Sequence, residues 1–135
     1  MIKLTSEELS YIALLESRTG CTVKDCIING NYITFIVKEG DLGLVVGKKG
    51  AVVNRIKEEL GKEIHVYEHS DDVARFISNL FYPIKVEKVE TGGNEAKVYI
   101  NPAERKRAIG KAGKKIKNVK ELLGRHFDIH NVTVI

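Results

Sequence analysis

The tetrapeptide Gly47-Lys48-Lys49-Gly50 returns as Gly110-Lys111-Ala112-Gly113, an offset of 63 residues (110 − 47 = 63). The register extends well beyond the tetrapeptide. Upstream, Asn31 falls on Asn94 and Asp41 on Glu104. Downstream, Val53 falls on Ile116, Ile56 on Val119, Leu60 on Leu123 and Gly61 on Gly124, and the register carries Ile64 and Val66 onto Phe127 and Ile129. A shared register of this length marks an internal duplication, which restricts the fold to one unit used twice. Each copy has about 65 residues, near the lower limit for a self-supporting domain. The expected division is 1–69 and 70–135, joined at His69–Asp72 with no Pro/Gly/Ser linker, so the two units are expected to be rigidly coupled.

Within each unit the local signals give the same order of elements. Thr5 and Glu8 have capping-box spacing ahead of a helix carrying Leu9, Ile12, Ala13 and Leu15 or Glu16, ended by Gly20. Thr22–Ile28 and Tyr32–Val37 read as strands joined through Asn29-Gly30-Asn31, whose Asn-Gly pair tolerates positive φ. A short helix, Leu42–Val46, precedes the glycine loop. The helix after it, about Ala51–Leu60, buries Val52, Val53, Ile56 and Leu60 and ends at Gly61, and Ile64–Tyr67 is the closing strand.

The second unit repeats the plan. A helix carries Val73, Phe76, Ile77 and Leu80 up to Pro83, and the strands Ile84–Val89 and Lys97–Ile100 flank the turn at Thr91–Asn94. Asn101 and Pro102 start a short helix that ends at Ile109. After the loop a helix is expected over Lys114–Leu123, stopped by Gly124, and a strand over Phe127–Val134. The fold class is α+β, two copies of α-β-β-α-α-β, each a three-stranded sheet packed on helices.

Glycines at the start of a helix expose backbone N–H groups where the helix dipole is positive, and the missing Cβ lets a phosphate approach closely. The interposed Lys48, Lys49 and Lys111 add charge. Nucleoside-triphosphate loops do not match, because Gly43 and Gly47 are separated by three residues rather than four and Lys48 is followed by Lys49. The dinucleotide fingerprint is absent, and here the loop joins two helices. A structural turn between helices is the alternative reading of a single loop; two loops in matching contexts favour phosphate binding.

Charge points the same way. The formal net charge of +4 is unevenly spread: residues 1–69 carry nine Lys/Arg against ten Asp/Glu, and residues 70–135 carry thirteen against eight. Arg105, Lys106, Arg107, Lys111, Lys114, Lys115, Lys117, Lys120 and Arg125 crowd the second loop. A basic stripe beside a phosphate loop fits a polyanion.

Val46-Gly47-Lys48-Lys49-Gly50 and Ile109-Gly110-Lys111-Ala112-Gly113 resemble the I-G-x-x-G loop of KH domains, and the element order resembles the type II KH fold. Two abutting type II KH units, with Glu39–Gly43 before the first loop and Arg107–Gly110 at the second, resemble the archaeal NusA-like family of transcription factors. The resemblance covers nearly the whole chain and implies single-stranded RNA as partner, with each loop clamping about four nucleotides. It implies a role in transcription elongation, termination or antitermination. The RNA-contacting residues it implies are Val46, Gly47, Lys48, Lys49 and Gly50 in the first unit. In the second they are Arg105, Arg107, Ile109, Gly110, Lys111, Ala112, Gly113, Lys114 and Lys115. Bases are expected between the loop helices and the sheet edge, against Val46 and Ile109, and two coupled grooves take about eight nucleotides with affinity raised by effective concentration. Bacterial relatives add a polymerase-binding domain and an S1 domain, for which 135 residues leave no room, so any link to RNA polymerase or other transcription proteins is expected to be indirect.

Other classes find less support. Aromatic content is low (7%, no Trp), against an aromatic stacking platform. The pairs His65/His69 and His126/His130 have helical metal-ligand spacing but fall at predicted strand positions without a third ligand, so no metal, no cofactor and no catalytic centre are expected. Cys21 and Cys26 read as free thiols in a reducing compartment. No stretch has the roughly 20 apolar residues of a membrane span and the N-terminus has no signal-peptide core, which predicts a cytoplasmic protein without a membrane partner. An enzyme of small phosphorylated molecules predicts saturable mononucleotide binding, and a structural subunit of a ribosomal or RNA-processing assembly predicts weak binding to free RNA.

Overall fold

A computed structural model describes residues 2–135, and the chain divides into two units, Ile2–Ser70 and Asp71–Ile135. The expected α+β architecture is present in both.

In the first unit α1 (Ser6–Thr19) opens on the expected capping box. The Glu8 N–H donates to Thr5 Oγ1 at 3.1 Å, and the Thr5 N–H donates to Glu8 Oε1 at 2.8 Å. Gly20 ends the helix in the left-handed conformation (φ 76°). Its buried face is Ile12 and Leu15, with Leu4 and Tyr11 packed beside them, whereas Leu9 and Ala13 are exposed. The apolar stripe is therefore displaced from the one read in the sequence. Glu16 faces outward from the core and its carboxylate accepts the Val23 N–H at 2.9 Å, tying the helix to the first strand.

Strands β1 (Val23–Asn29) and β2 (Tyr32–Val37) form an antiparallel hairpin over the two-residue turn Gly30-Asn31, with Gly30 at φ 61°. Helices α2 (Leu42–Val46) and α3 (Ala51–Leu60) then lead to β3 (Glu63–Glu68), which joins β2 in parallel. The sheet order is β1-β2-β3. Its core gathers Ile12, Leu15, Cys21, Cys26, Ile33, Phe35, Val37, Val45, Ile56 and Ile64. Both cysteines are free and buried, and burial pushes the Cys21 thiol above its ordinary pKa.

The second unit has α4 (Val73–Phe81), β4 (Val86–Gly92), β5 (Glu95–Ile100), α5 (Arg105–Ile109), α6 (Lys114–Phe127) and β6 (Asn131–Val134), with sheet order β4-β5-β6. The hairpins of the two units agree residue for residue. Val23↔Val37 becomes Val86↔Ile100, and the irregularity between Val23 and Asp25 recurs between Val86 and Lys88. The strands flanking Gly93-Asn94 reach closer to the turn than the sequence indicated, because the ladder continues to Gly92 and Glu95.

The 63-residue register holds through Leu123 and fails after it. Gly61 caps α3 in the left-handed conformation at φ 63°, but Gly124 lies inside α6, which runs on to Phe127 and is capped by Asp128 at φ 57°. Pairing makes the slip explicit. Ile33 pairs with Ile64, while the residue 63 further on, Ala96, pairs with Val132 rather than Phe127. The counterparts of Ile64 and Val66 are thus Val132 and Val134, five residues beyond the sequence match.

The expected stop at Gly124 and the expected strand at Phe127 are both overturned, for a packing reason. Phe127 is held in the helix by Phe76 of α4, ring centroids 5.4 Å apart, and His126 lies against the same ring at 5.3 Å. Gly124 serves close approach: a Cβ there meets His130 Nδ1 at 3.0 Å and Cε1 at 3.2 Å. His126 accordingly sits at a helix end and His130 in the following loop, not in a strand as expected.

Candidate nucleic-acid interface

Each glycine loop is a four-residue bridge between a five-residue helix and a longer one. Gly47 ends α2 by donating its N–H to Gly43 O at 2.9 Å, and the Gly50 N–H returns to Gly47 O at 3.4 Å. The second loop repeats both bonds, Gly110 to Lys106 O at 2.9 Å and Gly113 to Gly110 O at 3.0 Å. Dihedral angles agree as closely. The first glycines have φ 70° and 82°, the third positions Lys49 and Ala112 have φ 55° and 56°, and Gly50 and Gly113 have φ 76° and 73°.

A non-glycine residue at positive φ costs about 1–2 kcal/mol. Two such residues in matching positions mean that the surrounding packing imposes this backbone. The first glycine of each loop is required twice over, by φ and by space. A Cβ on Gly47 falls 2.5 Å from Val52 Cγ2, and one on Gly110 falls 2.8 Å from the Lys115 N and 2.7 Å from its Cβ. The loops are thereby drawn down onto the first turns of α3 and α6, helices of 10 and 14 residues whose positive dipole ends lie at the loops.

The candidate residues fall into two groups by exposure. Lys48, Lys49, Arg105, Arg107, Ile109, Lys111, Ala112 and Lys114 are exposed, while Val46 and the four loop glycines are half-buried. Ile109 is a large apolar side chain left 40% exposed at the end of α5. Edge strand β3 packs beside α2 and α3, and β6 beside α5 and α6, so each unit sets a sheet edge next to its loop helices.

Lys115, expected in the phosphate track, is half-buried, unlike the exposed Lys111 and Lys114. Its stem packs on Gly110 where Val52 packs on Gly47, and loss of solvent pushes its ammonium pKa down to about 8. Arg107 is held at 3.1 Å by Glu104 and lines a groove of about 340 Å³ with Pro83, Ile84, Lys85 and Asn101. The first unit differs there, since Asp41, the counterpart of Glu104, accepts the Thr22 N–H at 2.8 Å instead. Sequence reasoning missed Leu44, 49% exposed on α2. The available signal was the i, i+3 pair Leu42 and Val45, which turns both toward the core and leaves Leu44 outside.

Residues 10–93 match the family model of the KH domain, and residues 73–134 match that of the NusA-like second KH domain. The chain belongs to the NusA-like KH family. Among similar proteins of that family, the "Probable transcription termination protein NusA" of Methanococcus vannielii is 38% identical, covering 99% of this chain and 80% of its own length. Its namesake from Methanocaldococcus jannaschii is 36% identical, covering 99% of this chain and 75% of its own length. The crystal structure of APE1850 superposes with a TM-score of 0.81 at 33% identity, over 98% of this chain and 100% of that one. The NusA-like architecture, two KH units in tandem, accounts for the duplication seen in the sequence. Among the described residues no group of three or more His, Cys, Asp or Glu is placed to hold a metal ion, and no helix is long and apolar enough to cross a membrane.

Proposed function

We propose that this chain binds single-stranded RNA through both glycine loops and acts in transcription elongation, termination or antitermination; the names of its relatives state termination for them. Residues 1–69 and 70–135 are each one RNA-binding KH unit. The observation that carries the reading is the recurrence of one strained loop backbone, with two consecutive left-handed residues, at the start of a long helix in both units. A loop needed only to reverse the chain does not require strain at Lys49 and again at Ala112.

In this reading the backbone of each loop and the helix dipole behind it hold a phosphate, and Lys48, Lys49 and Lys111 add charge around it. Arg105, Arg107 and Lys114 extend the phosphate track in the second unit. Bases lie toward the sheet edge against Val46 and Ile109. Contact with RNA polymerase or other transcription proteins is through the RNA or through further partners.

The test is titration of a labelled random single-stranded RNA pool at two salt concentrations, with folding of each variant checked by circular dichroism. Lys48→Asp/Lys49→Asp and Lys111→Asp/Ala112→Asp are each expected to weaken binding, and their combination to abolish it. Folded variants that bind like the native protein sink the proposal.

A further inference from the structure

The two loops share a backbone but not a chemical environment. Across Leu42–Leu60, spanning the loop and its helices, there are four Lys/Arg (Lys48, Lys49, Arg55, Lys57) against two Glu. The matching stretch 105–123 holds eight Lys/Arg against one Glu. The contrast is sharpest on the short helix before each loop. Helix α2 is Leu-Gly-Leu-Val-Val, without a charge, and α5 is Arg-Lys-Arg-Ala-Ile. Their buried anchors correspond, Val45 to Ala108, and at the positions exposed in both units Gly43 and Leu44 stand against Lys106 and Arg107, while Ile109 is the one large apolar side chain exposed on α5.

An exposed Leu beside a phosphate-holding loop offers a base an apolar, shape-dependent contact and offers a phosphate nothing. Lys and Arg in the same places offer phosphates a charge whatever the base. We infer that the two units divide the work on one RNA strand, the second supplying most of the salt-dependent grip on the backbone and the first most of the discrimination between bases. This inference rests on the RNA-binding reading above and adds to it which unit reads and which holds.

A reciprocal exchange tests it. Gly43→Lys/Leu44→Arg gives the first unit the residues of the second. Space allows this, because nothing lies within 4 Å of a Cβ at Gly43 and its φ is unstrained. Lys106→Gln/Arg107→Leu removes the two charges from the second unit, both at exposed positions. The native protein and both variants, shown folded by circular dichroism, are titrated with oligo(A), oligo(C), oligo(U) and mixed RNAs of about ten nucleotides at several salt concentrations.

Each phosphate contact on a single strand contributes about 0.7 to the slope of log K against log salt. Lys106→Gln/Arg107→Leu is therefore expected to lower the slope by up to about 1.4 while keeping the ranking of the oligonucleotides. Gly43→Lys/Leu44→Arg is expected to raise the slope and to narrow the affinity spread between best and worst oligonucleotide by about fivefold, or about 1 kcal/mol at 1.4 kcal/mol per tenfold. Equal effects of the two exchanges on slope and ranking, or a spread that narrows only with the second-unit variant, overturn the division. A native protein that binds none of the RNAs overturns the RNA-binding reading itself, and this inference with it.

Discussion

Lys115 is a charged residue doing the packing job of a valine. Its counterpart in the first unit is Val52, and both press on the first glycine of a loop, so the side chain is half-buried at the start of α6. Burial lowers its pKa from the ordinary 10.5 to about 8. In the unfolded chain the group keeps its ordinary value, so between pH 8 and 10.5 the unfolded state binds more protons than the folded one. Stability therefore rises with pH through that window, and below pH 8 the folded state carries the full cost of the buried charge. At 1.36 kcal/mol per pH unit that cost is about 3 kcal/mol, an upper figure for a group that keeps some contact with water. Lys115→Met retains the stem and removes the charge. It is expected to stabilise the protein by about 2–3 kcal/mol at pH 7, with the gain shrinking toward zero as pH approaches 10.5. Urea denaturation of both proteins at a series of pH values between 7 and 10.5 measures this directly. A variant that is less stable at pH 7, or whose advantage does not decline with rising pH, would refute the reasoning.

Four further outcomes concern the glycines and the packing of the last helix. Gly61→Ala forces a Cβ into the left-handed region and is expected to cost about 1 kcal/mol or more in denaturant unfolding. Gly124→Ala, matched to it in sequence, gains about 0.5–1 kcal/mol of helix propensity against a contact with a half-exposed His130 ring that can give way. It should be close to neutral, and equal losses at the two sites would contradict the helical placement of Gly124. Gly47→Ala and Gly110→Ala meet both positive φ and a contact under 3.0 Å, so each should lose more stability than Gly61→Ala, measured in the same way. Phe76→Ala removes the ring on which His126 and Phe127 rest, and is expected to cost about 3–5 kcal/mol. It should also increase amide exchange in the last turn of α6.

The repeat made most of this fold legible, because each unit checked the other. Capping signals, hairpin turns and both glycine loops lie where the duplicated pattern put them. The largest difference from the sequence pattern lies where the two units diverge. Gly124 looked like a helix stop because Gly61 is one, yet whether a glycine ends a helix depends on what the next residues can reach. Here Phe127 reaches Phe76, and that aromatic contact extends the helix past the glycine. Leu9 satisfied the apolar spacing of α1 but faces outward, since periodicity fixes which residues share a face and not which neighbouring face is covered. Lys115 read as one more phosphate ligand in a basic run, and only the closeness of Gly110 shows that its stem is packing.

Duplication followed by drift leaves a recognisable division between what was kept and what was free to change. The loop backbones agree within a few degrees in most angles, and so do the hairpin registers and their shared irregularity. These are features in which a small change alters the position of every neighbouring group. The exposed faces of α2 and α5 have moved apart completely, from uncharged to strongly basic. A side chain that merely tiles a solvated helix face tolerates such drift without consequence, and that alone explains scattered substitutions. It does not explain why the second unit's additional charge lies on the short helix before the loop and in the first turn after it (Arg105, Lys106, Arg107, Lys114, Lys115, Lys117), while of the first unit's four cationic positions Lys48 and Lys57 keep a charge, as Lys111 and Lys120. If the loops hold phosphates as proposed, extra charge beside an unchanged loop alters how strongly a phosphate chain is held without moving where it is held. On the RNA-binding reading proposed above, the preserved backbone gives both units the same placement of a phosphate, and the altered surface sets strength and selectivity separately in each.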